Sequence, residues 1–405
     1  MTESSITATD YGDVDLVDGA FWGGDPHRAF AWLRRHAPVY LDRKNDVIGI
    51  TRYEDIRRVA RDPDLFSNAG GIRPDQGPLP FMIDMDAPEH RRRRRLVNGG
   101  FTPRRVAEAE ADVRRTCDEI LDKVCERGSC DFVHDIAAPL PMIAIGDRLG
   151  FAPEDRDDLL QWSDDMLCSL GATDENLVLA AMDAAAKYRE YIGARIAERR
   201  ATGDDSDLIG TLVHADVDGE RLDDESLVFE SLLILIGGDE TTRHVLSGGM
   251  EALLRRPEQW EDLRLDRSLL PGAVEEMLRW VSPIRNMCRT ATRDTELRGQ
   301  AIRDGQKLML LYPSANRDEE VFDRPEEFDI RRSPNDHLAF GVGPHFCLGN
   351  RLARVELVTM FDRLLDRMGD IHLASDDPVR MRPANFVSGI ESLPVSFSPS
   401  APVRV

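Results

Sequence analysis

One stretch of the sequence limits the possible folds more than any other. Between about Asp224 and Arg256, just before Pro257, the pattern predicts a single helix of roughly 50 Å at 1.5 Å per residue. Its centre, SLLILIGGDETT at residues 231–242, is apolar on nearly every face. Such a helix is stable only where other elements surround it. The chain must therefore build a large domain around one central helix.

The rest of the sequence predicts a mainly helical protein with a minor β-sheet region. From about residue 88 to residue 282 the pattern is helical, with start signals such as Thr102 before Pro103. Strands are predicted at 38–41 and 47–51 as a hairpin, near 289–297, at 307–311 and in the tail after 371. Since no repeat or low-complexity linker separates these segments, we expect residues 1–405 to form one domain.

The net charge of the chain limits the kinds of molecule that it can bind. The sequence has 52 Lys and Arg against 74 Asp and Glu, which gives a formal charge of −22. We expect no nucleic-acid partner, because that polymer is bound by neutralising its phosphates. The arginine run 91–95 is the exception, and its simplest interpretation is a charged helix with a solvated face.

The sequence also carries information on location. Residues 1–20 are polar and acidic and contain no apolar segment typical of a signal peptide. The run Leu232–Ile236 is far shorter than the roughly 20 apolar residues that a membrane span needs. The cysteines are scattered rather than framed, as is typical of a reducing compartment. We therefore expect a cytoplasmic protein with no membrane span.

The centre of the long helix contains residues that a structural helix does not need. Gly237 and Gly238 each cost about 1 kcal/mol relative to alanine in a helix interior. Gly237 removes a side chain where something flat can approach, and the hydroxyl of Thr241 can bond the carbonyl four residues earlier. Glu240 is an ionisable group among apolar ones and needs a partner or a proton. The alternative is a kinked helix with a satisfied acid.

Four side chains suggest a binding site for an anion. His90 and Arg94 lie at i and i+4 of a predicted helix, so both point from one face. Arg289 lies in an apolar, strand-like stretch, and His345 lies in a glycine-rich loop. Any one of them taken alone is more simply structural. Together they can clamp a dianionic group such as a pair of carboxylates.

The same loop contains a single cysteine, Cys347, in the sequence HLAFGVGPHFCLGN at residues 337–350. A thiolate is stable near neutral pH only beside hydrogen-bond donors and a metal or cation, and a helix predicted from Asn350 would add a favourable dipole. Zinc would need four ligands with paired spacing, which are absent from this sequence. A nucleophile with His345 as its base would have poor i, i+2 geometry. A single soft thiolate suits haem iron.

These residues carry a family resemblance. FGVGPHFCLG, residues 340–349, resembles the haem-binding loop of the cytochrome P450 family. Other family motifs appear in order along almost the whole chain: the His90/Arg94 helix, the GGDETT motif at 237–242, the Glu276/Arg279 pair and the meander at 316–329. The resemblance implies the cytochrome P450 fold, a triangular-prism single domain with a long central helix. It also implies haem b (iron protoporphyrin IX) as the cofactor and a haem-thiolate monooxygenase that uses O2.

The resemblance implies a role for each site residue. Cys347 would be the axial ligand of the haem iron, and Glu240 and Thr241 would be the acid–alcohol pair that relays protons to oxygen. The residues expected to bind the haem are His90, Arg94, Arg289 and His345 at the propionates, with Phe340, Gly341 and Gly349 in the loop.

Two further expectations come from the resemblance. Glu276 and Arg279 would form a structural network with an arginine of the meander, either Arg317 or Arg331. The family commonly has an apolar residue at the position of Arg93, so the run 91–95 marks either a docking surface for an acidic ferredoxin or extra solvated charge. Since the sequence has no flavin or dinucleotide segment, a ferredoxin and a ferredoxin reductase driven by NAD(P)H would supply the electrons. We expect a monomer.

The substrate is expected to be a neutral, apolar lipid. The candidate pocket residues are Phe81, Met82, Leu233, Ile236, Gly237, Met287, Val387 and Ile390. The segments 80–90 and 385–390 resemble the branch of the family that hydroxylates the terminal (C26/C27) carbon of the cholesterol or cholest-4-en-3-one side chain and oxidises it further. Hydroxylation of a fatty acid or a terpenoid is the alternative within the family. A non-catalytic haem sensor or carrier is the alternative from another class, and it would need no acid–alcohol pair.

Overall fold

The computed structural model of the chain describes residues 13–168 and 175–403. Residues 1–12 and the side chain of Cys168, which entered the expectations on location, lie outside the described part. The α-helices are α1 (Gly19–Gly23), α2 (His27–His36), α3 (Tyr53–Arg61), α4 (Glu89–Asn98), α5 (Pro103–Asp122), α6 (Pro139–Leu149), α7 (Arg156–Cys168), α8 (Glu175–Thr202), α9 (Leu208–His214), α10 (Asp224–Leu254), α11 (Pro257–Leu265), α12 (Leu270–Val281), α13 (Tyr312–Ala315) and α14 (Asn350–Arg367). Short 3-10 turns lie at Met82–Asp84, Gly99–Phe101, Pro153–Asp155 and Arg267–Leu269, and a π-helical turn lies at Phe132–Ala137.

The strands form three small sheets. They are β1 (Val39–Asp42), β2 (Val47–Ile50), β3 (Phe66–Ser67), β4 (Ser129–Asp131), β5 (Asn286–Ala291), β6 (Thr295–Leu297), β7 (Gln300–Ile302), β8 (Lys307–Leu311), β9 (His372–Leu373) and β10 (Pro394–Ser396). The largest sheet has the order β1-β2-β8-β5-β3, in which only the β2–β8 pair is parallel. β4-β10-β9 and β6-β7 form the other two. The predicted hairpin is confirmed as β1 and β2, with Val39 opposite Ile50.

The predicted central helix is confirmed as α10, which has 31 residues and ends within two residues of the expected position. It begins where the side chain of Asp223 accepts a hydrogen bond of 2.8 Å from the backbone N–H of Ser226. Most of its residues are buried, because α6, α8, α12 and α14 pack around it. The mainly helical fold with a minor sheet region is therefore confirmed.

Two hydrophobic cores meet along α10. One core contains residues of α5, α12 and α14 together with the C-terminal half of α10. The other contains residues of α6, α8 and α9 together with the N-terminal half of α10. The glycine-rich middle of the helix lies between the two cores, and this position leaves room for a site beside it.

Two expectations on location can be compared with the described residues. Within 13–168 and 175–403, no helix combines the length and the apolar character that crossing a membrane requires. The cysteines with described side chains are free thiols, at positions 117, 125, 130, 288 and 347.

Candidate active site

A large cavity separates the middle of α10 from the loop that precedes α14. It encloses about 1490 Å³ of space, part of which is open to solvent. Its walls include Leu233, Gly237 and Thr241 from α10, together with residues of the loop from Ala339 to Gly349. His90, Arg94, Met287 and Arg289 complete the side nearest α4 and β5. Segments that are far apart in sequence thus meet at one cavity.

The loop presents Cys347 to the cavity. The backbone N–H of Cys347 donates to the carbonyl of Phe340 (2.9 Å), and the side-chain amide of Asn350 donates to the carbonyl of Cys347 (2.8 Å). Gly343 has a φ of +84°, and a Cβ there would lie 2.5 Å from the carbonyl oxygen of Ala60, so this turn requires glycine. The loop is therefore tied in place before any ligand binds.

The electrostatics at Cys347 suit a metal-bound thiolate. Burial raises the pKa of the Cys347 thiol, while the backbone N–H groups of Gly349 and Asn350 and the guanidinium of Arg94 act in the opposite direction. α14 begins at Asn350, so the positive end of a helix dipole lies next to the sulfur, as predicted. These donors offset the effect of burial on the pKa only in part, and a metal cation would complete the stabilisation of the thiolate.

The four predicted anion-binding residues all line the cavity. The rings of His90 and His345 stack with centroids 3.9 Å apart, and Arg94 donates to the carbonyl of Phe346 (2.6 Å). Arg289 is buried and donates to the carbonyl of Cys288 (2.7 Å). Burial and the neighbouring cations lower the pKa of His90 to about 4 and that of His345 to about 2. A bound dianion would supply the missing negative charge, and the two propionates of haem fit this requirement.

The middle of α10 is shaped for a flat group. A Cβ added at Gly237 would meet nothing within 4 Å, because the residue faces the cavity, whereas a Cβ at Gly238 would press on Ile145 at 3.0 Å. The hydroxyl of Thr241 donates to the carbonyl of Gly237 (2.9 Å), the i−4 bond expected from the sequence. Gly341 and Gly349 line the opposite wall, and the nearest atom to a Cβ at Gly341 would be the Tyr312 hydroxyl, 3.7 Å away. The open space between these walls and the thiol fits a haem.

Glu240 is buried beside the cavity rather than on its wall. Its carboxylate is ion-paired with Arg243, and Nε2 of His244 and Nη1 of Arg382 lie 3.0 and 3.1 Å from its Oε2. Burial would raise the pKa of Glu240, but these three neighbours outweigh that effect and hold it well below the usual range. Of the predicted acid–alcohol pair, only Thr241 reaches the cavity directly.

Another acid, Glu356, does lie on the cavity wall, and the sequence reasoning missed it. It lies on α14, is 2% exposed, and its Oε2 has no hydrogen-bond partner among the described atoms. Burial raises its pKa well above the usual range, and the hydroxyl of Thr242 acts against this shift. The available signal was its position on the apolar side of α14, at i+4 from Leu352 and i−4 from Met360.

The predicted pocket residues divide into two groups. Met82, Leu233, Gly237 and Met287 line the cavity. The other four lie in the layer behind the wall: Phe81 packs on Phe229, Ile236 packs on the α10 core, Val387 pairs with Ile284, and Ile390 pairs with Met381. Ile284 does line the cavity, so Val387 lies one residue layer behind the wall.

The partner of the Glu276/Arg279 pair needs a correction. Both side chains are fully buried, and Nε of Arg332 lies 3.0 Å from Oε2 of Glu276. The sequence-based choice of Arg317 or Arg331 was wrong, because Arg317 pairs with Glu326 and Arg331 pairs with Asp262. Arg331 and Arg332 are adjacent after the meander, and only the packed backbone decides which one reaches Glu276 on α12.

The structure also shows the partners of the arginines in the run 91–95. Arg92 pairs with Glu89 and Glu220, and Arg93 pairs with Glu89 and Glu230. Arg94 turns to the Cys347 loop, and Arg95 lies 3.3 Å from Asp218. Arg92, Arg93 and Arg95 are therefore paired with acids of the chain, which leaves less free charge than either a docking surface or a solvated face would have.

Comparison with known proteins agrees with this geometry. The sequence model of the family described as Cytochrome P450 matches residues 173–374. A Mycobacterium tuberculosis protein named Steroid C26-monooxygenase is 56% identical over 399 residues, covering 98% of this chain and 100% of the relative. A Mycobacterium bovis protein named Methyl-branched lipid omega-hydroxylase is 38% identical, covering 95% of each chain.

Solved structures extend the comparison. The crystal structure of a Bacillus megaterium cytochrome P450 in complex with corticosterone superimposes with a TM-score of 0.85 and 33% identity, covering 92% of this chain and 98% of that chain. With a cysteine loop, two arginines and two histidines on one cavity wall and glycines beside the cavity in the central helix, the chain belongs to the cytochrome P450 family of haem-dependent monooxygenases.

Proposed function

We propose that this protein hydroxylates the terminal (C26/C27) carbon of the cholesterol or cholest-4-en-3-one side chain and oxidises it further. The observation that carries the proposal is the 56% identity, over nearly the whole of both chains, to a relative named Steroid C26-monooxygenase. The cavity is consistent with such a substrate, because apolar side chains form part of its wall.

The part of the cavity nearest the N-terminal half of α10 is apolar. It is formed by Met82, Ile83, Leu233, Ile284 and Met287. A narrow alkyl chain gains about 0.8 kcal/mol for each CH₂ buried in such a wall, so a sterol side chain entering end-on gains several kcal/mol. The terminal methyl has stronger C–H bonds than the neighbouring tertiary carbon. A tightly held pose must therefore decide the site of oxidation.

Each group of site residues would have its own role in the reaction. When bound, the haem supplies the oxygen chemistry that inserts one atom of O2 into a C–H bond. Cys347 would hold its iron, and His90, Arg94, Arg289 and His345 would hold its propionates. Thr241 would present its hydroxyl to the reacting oxygen. Glu240, one residue earlier, would have to release one of its partners Arg243, His244 and Arg382 before it could pass a proton to that hydroxyl.

We also propose that the electrons come from a ferredoxin and a ferredoxin reductase. The support is in the sequence, which has no flavin- or dinucleotide-binding segment within its 405 residues. Reconstitution with candidate ferredoxins tests this point separately from the choice of substrate.

The experiment is a spectroscopic titration of the haem-loaded protein, followed by product analysis. Cholest-4-en-3-one should shift the iron from low to high spin at micromolar concentrations or below, and the first product should be the terminal alcohol. Lauric and palmitic acids serve as the matched comparison. Tighter binding of either acid, or hydroxylation of the steroid rings, would contradict the sterol side-chain proposal.

A second candidate has an observation of its own. The 38% identity to a relative named Methyl-branched lipid omega-hydroxylase favours oxidation at the end of a branched acyl chain. A methyl-branched fatty acid added to the same titration distinguishes the two, because the sterol proposal requires it to bind more weakly than cholest-4-en-3-one.

A further inference from the structure

A buried carboxylate on α10 has no role in the site described so far. Glu230 lies seven residues before Gly237 and is 0% exposed. Burial raises its pKa to about 7, and Arg93 and the backbone N–H of Met82 act against that shift. A buried carboxylate is costly unless it is paired and hydrogen-bonded, so its contacts show what it holds.

Those contacts join three parts of the chain at one oxygen atom. Oε1 of Glu230 accepts from the backbone N–H of Met82 (2.9 Å) and from Nη1 of Arg93 (3.1 Å). The same Nη1 of Arg93 donates to the carbonyl of Pro80 (3.2 Å). α4, α10 and the segment that precedes α4 are thereby linked by charge-assisted hydrogen bonds.

Arg93 differs in this respect from its neighbours. Arg92 is turned to Glu89 and Glu220, and Arg94 is turned to the carbonyl of Phe346. Only Arg93 of the run 91–95 has a described contact with Glu230.

The linked segment forms the roof of the cavity. We define the roof segment as residues 78–85, which lie between β3 and α4. Met82 and Ile83 line the cavity, while Phe81 packs edge-to-face on Phe229 with ring centroids 5.6 Å apart. Apart from one 3-10 turn, the segment has no regular secondary structure. Side-chain contacts, including those of Asp84 with the N–H groups of Ile72 and Leu79, therefore fix its position.

We propose that the Arg93–Glu230 ion pair positions the roof segment over the cavity and thereby sets the affinity and the site of oxidation of the substrate. Neither residue touches the substrate, so both are positioning residues. The pair acts by placing Met82 and Ile83 against one side of the bound chain. The proposal rests on the proposed function only in taking the cavity as the binding site of an apolar lipid.

The test compares Arg93→Leu and Glu230→Gln with the control Arg92→Leu in the haem-loaded protein. Arg92 is the adjacent arginine and lies on the same helix, yet its ion partners do not include the roof segment. The first measurement is hydrogen exchange of a peptide spanning residues 78–85 without substrate, because the N–H of Met82 is the donor to Glu230. The second is the spin-state titration with cholest-4-en-3-one, together with the ratio of terminal to internal oxidation products.

Both variants should exchange faster in the roof peptide, bind the sterol about tenfold more weakly and give more internal oxidation. Arg93→Leu removes the donor to Glu230, and Glu230→Gln removes the negative charge that strengthens both bonds. Arg92→Leu should match the wild type within about twofold, and Arg93→Lys should recover part of the affinity since it keeps the charge. The double variant Arg93→Leu/Glu230→Gln should equal the stronger single variant, because the two residues act through one contact.

Unchanged exchange of the roof peptide in both variants would overturn the proposal, as would an unchanged product ratio. Equal effects of Arg92→Leu would reduce the ion pair to general stabilisation of α4 and would likewise overturn it. The exchange measurement needs no substrate. If the wild type fails to bind any sterol, the proposed function fails, while faster exchange with looser binding of whichever lipid does fit still supports the positioning role.

Discussion

The two sides of the cavity are built differently. The Cys347 loop, residues 337–350, is fixed by several contacts. Its backbone is hydrogen-bonded across the turn, and Cζ of Arg354 lies 4.5 Å from the ring centroid of Phe340. The Thr241 side, residues 233–245 of α10, has an open gap at Gly237 and a hydroxyl held only by its own helix. Opposite it, Glu356 has an oxygen without a partner among the described atoms.

The two sides of the cavity therefore differ in how firmly their functional groups are held, and this difference matches their functions. A thiolate ligand must be placed accurately, so the loop around it is supported by bonds that do not change. Proton transfer needs groups that can exchange partners, and on the α10 side the Thr241 hydroxyl, which bonds the carbonyl of Gly237 in its own helix, is such a group. Substitutions that weaken the loop side should therefore cost stability, whereas substitutions on the α10 side should cost chemistry.

The largest expected effect is on the buried Glu276 network, to which Asn335, two residues before the Cys347 loop, donates a hydrogen bond of 3.1 Å. Glu276→Gln should lower the free energy of unfolding by about 3–5 kcal/mol, because it leaves the guanidinium groups of Arg279 and Arg332 buried without a counterion. Urea unfolding of the haem-loaded protein measures it. The control is Glu261→Gln, which breaks an i, i+3 pair with Arg264 whose side chains are 47% and 46% exposed.

The control pair has the same spacing as the buried pair, so burial is the variable that differs. We expect the exposed pair to contribute less than about 1 kcal/mol. Similar losses of unfolding free energy for the two variants would contradict the claim that burial makes the Glu276 pair the more important one.

The next effect concerns proton delivery. Thr241→Ala should leave stability and substrate affinity nearly unchanged while diverting electrons to hydrogen peroxide, with coupling of reductant to product falling on the order of tenfold. Coupling is measured as product formed per NAD(P)H consumed. Thr211→Ala is the matched control, since Thr211 makes the same i−4 bond (2.8 Å to the carbonyl of Asp207) on α9.

Coupling that stays at the wild-type level in Thr241→Ala would place the proton donor elsewhere, with Thr242 and Glu356 as the next residues to vary. A loss of stability larger than that of Thr211→Ala would contradict the division of roles between the two sides.

The smallest effect tests which residues form the wall. Leu233→Ala removes wall surface and should weaken sterol binding about fivefold, by the loss of buried apolar area. Val387→Ala, behind Ile284, should change binding less than about twofold, although a small cavity there costs some stability. The spin-state titration measures both. A larger loss of sterol affinity for Val387→Ala than for Leu233→Ala would show that Val387 contacts the substrate, as predicted from the sequence.

The sequence predicted the parts of the site that are local along the chain. Cys347, its glycine turn and the helix after it lie within 337–350, and the i, i+4 pair His90 and Arg94 needs only a helix to share a face. The central helix could be predicted because a helix that is apolar on nearly every face is stable only when it is buried.

The parts that depend on packing between distant segments could not be predicted in the same way. The choice of Arg332 over Arg317 or Arg331 depends on how a turn meets α12. Whether Val387 or Ile284 faces the cavity depends on which side of a short bridge each one takes. Glu230 was missed for the same reason, since its partners lie more than a hundred residues earlier in the chain.

The most direct test of the account is the spectrum of the reduced carbon monoxide complex. The wild type should show the red-shifted Soret band of a thiolate-ligated haem. Cys288→Ser, which changes a buried thiol that does not line the cavity, should keep that band. Cys347→His should lose the band together with monooxygenase activity, while retaining the helical content of the fold. A Cys347→His protein that keeps the red-shifted band would contradict the assignment of Cys347 as the haem ligand, and with it the account of the cavity.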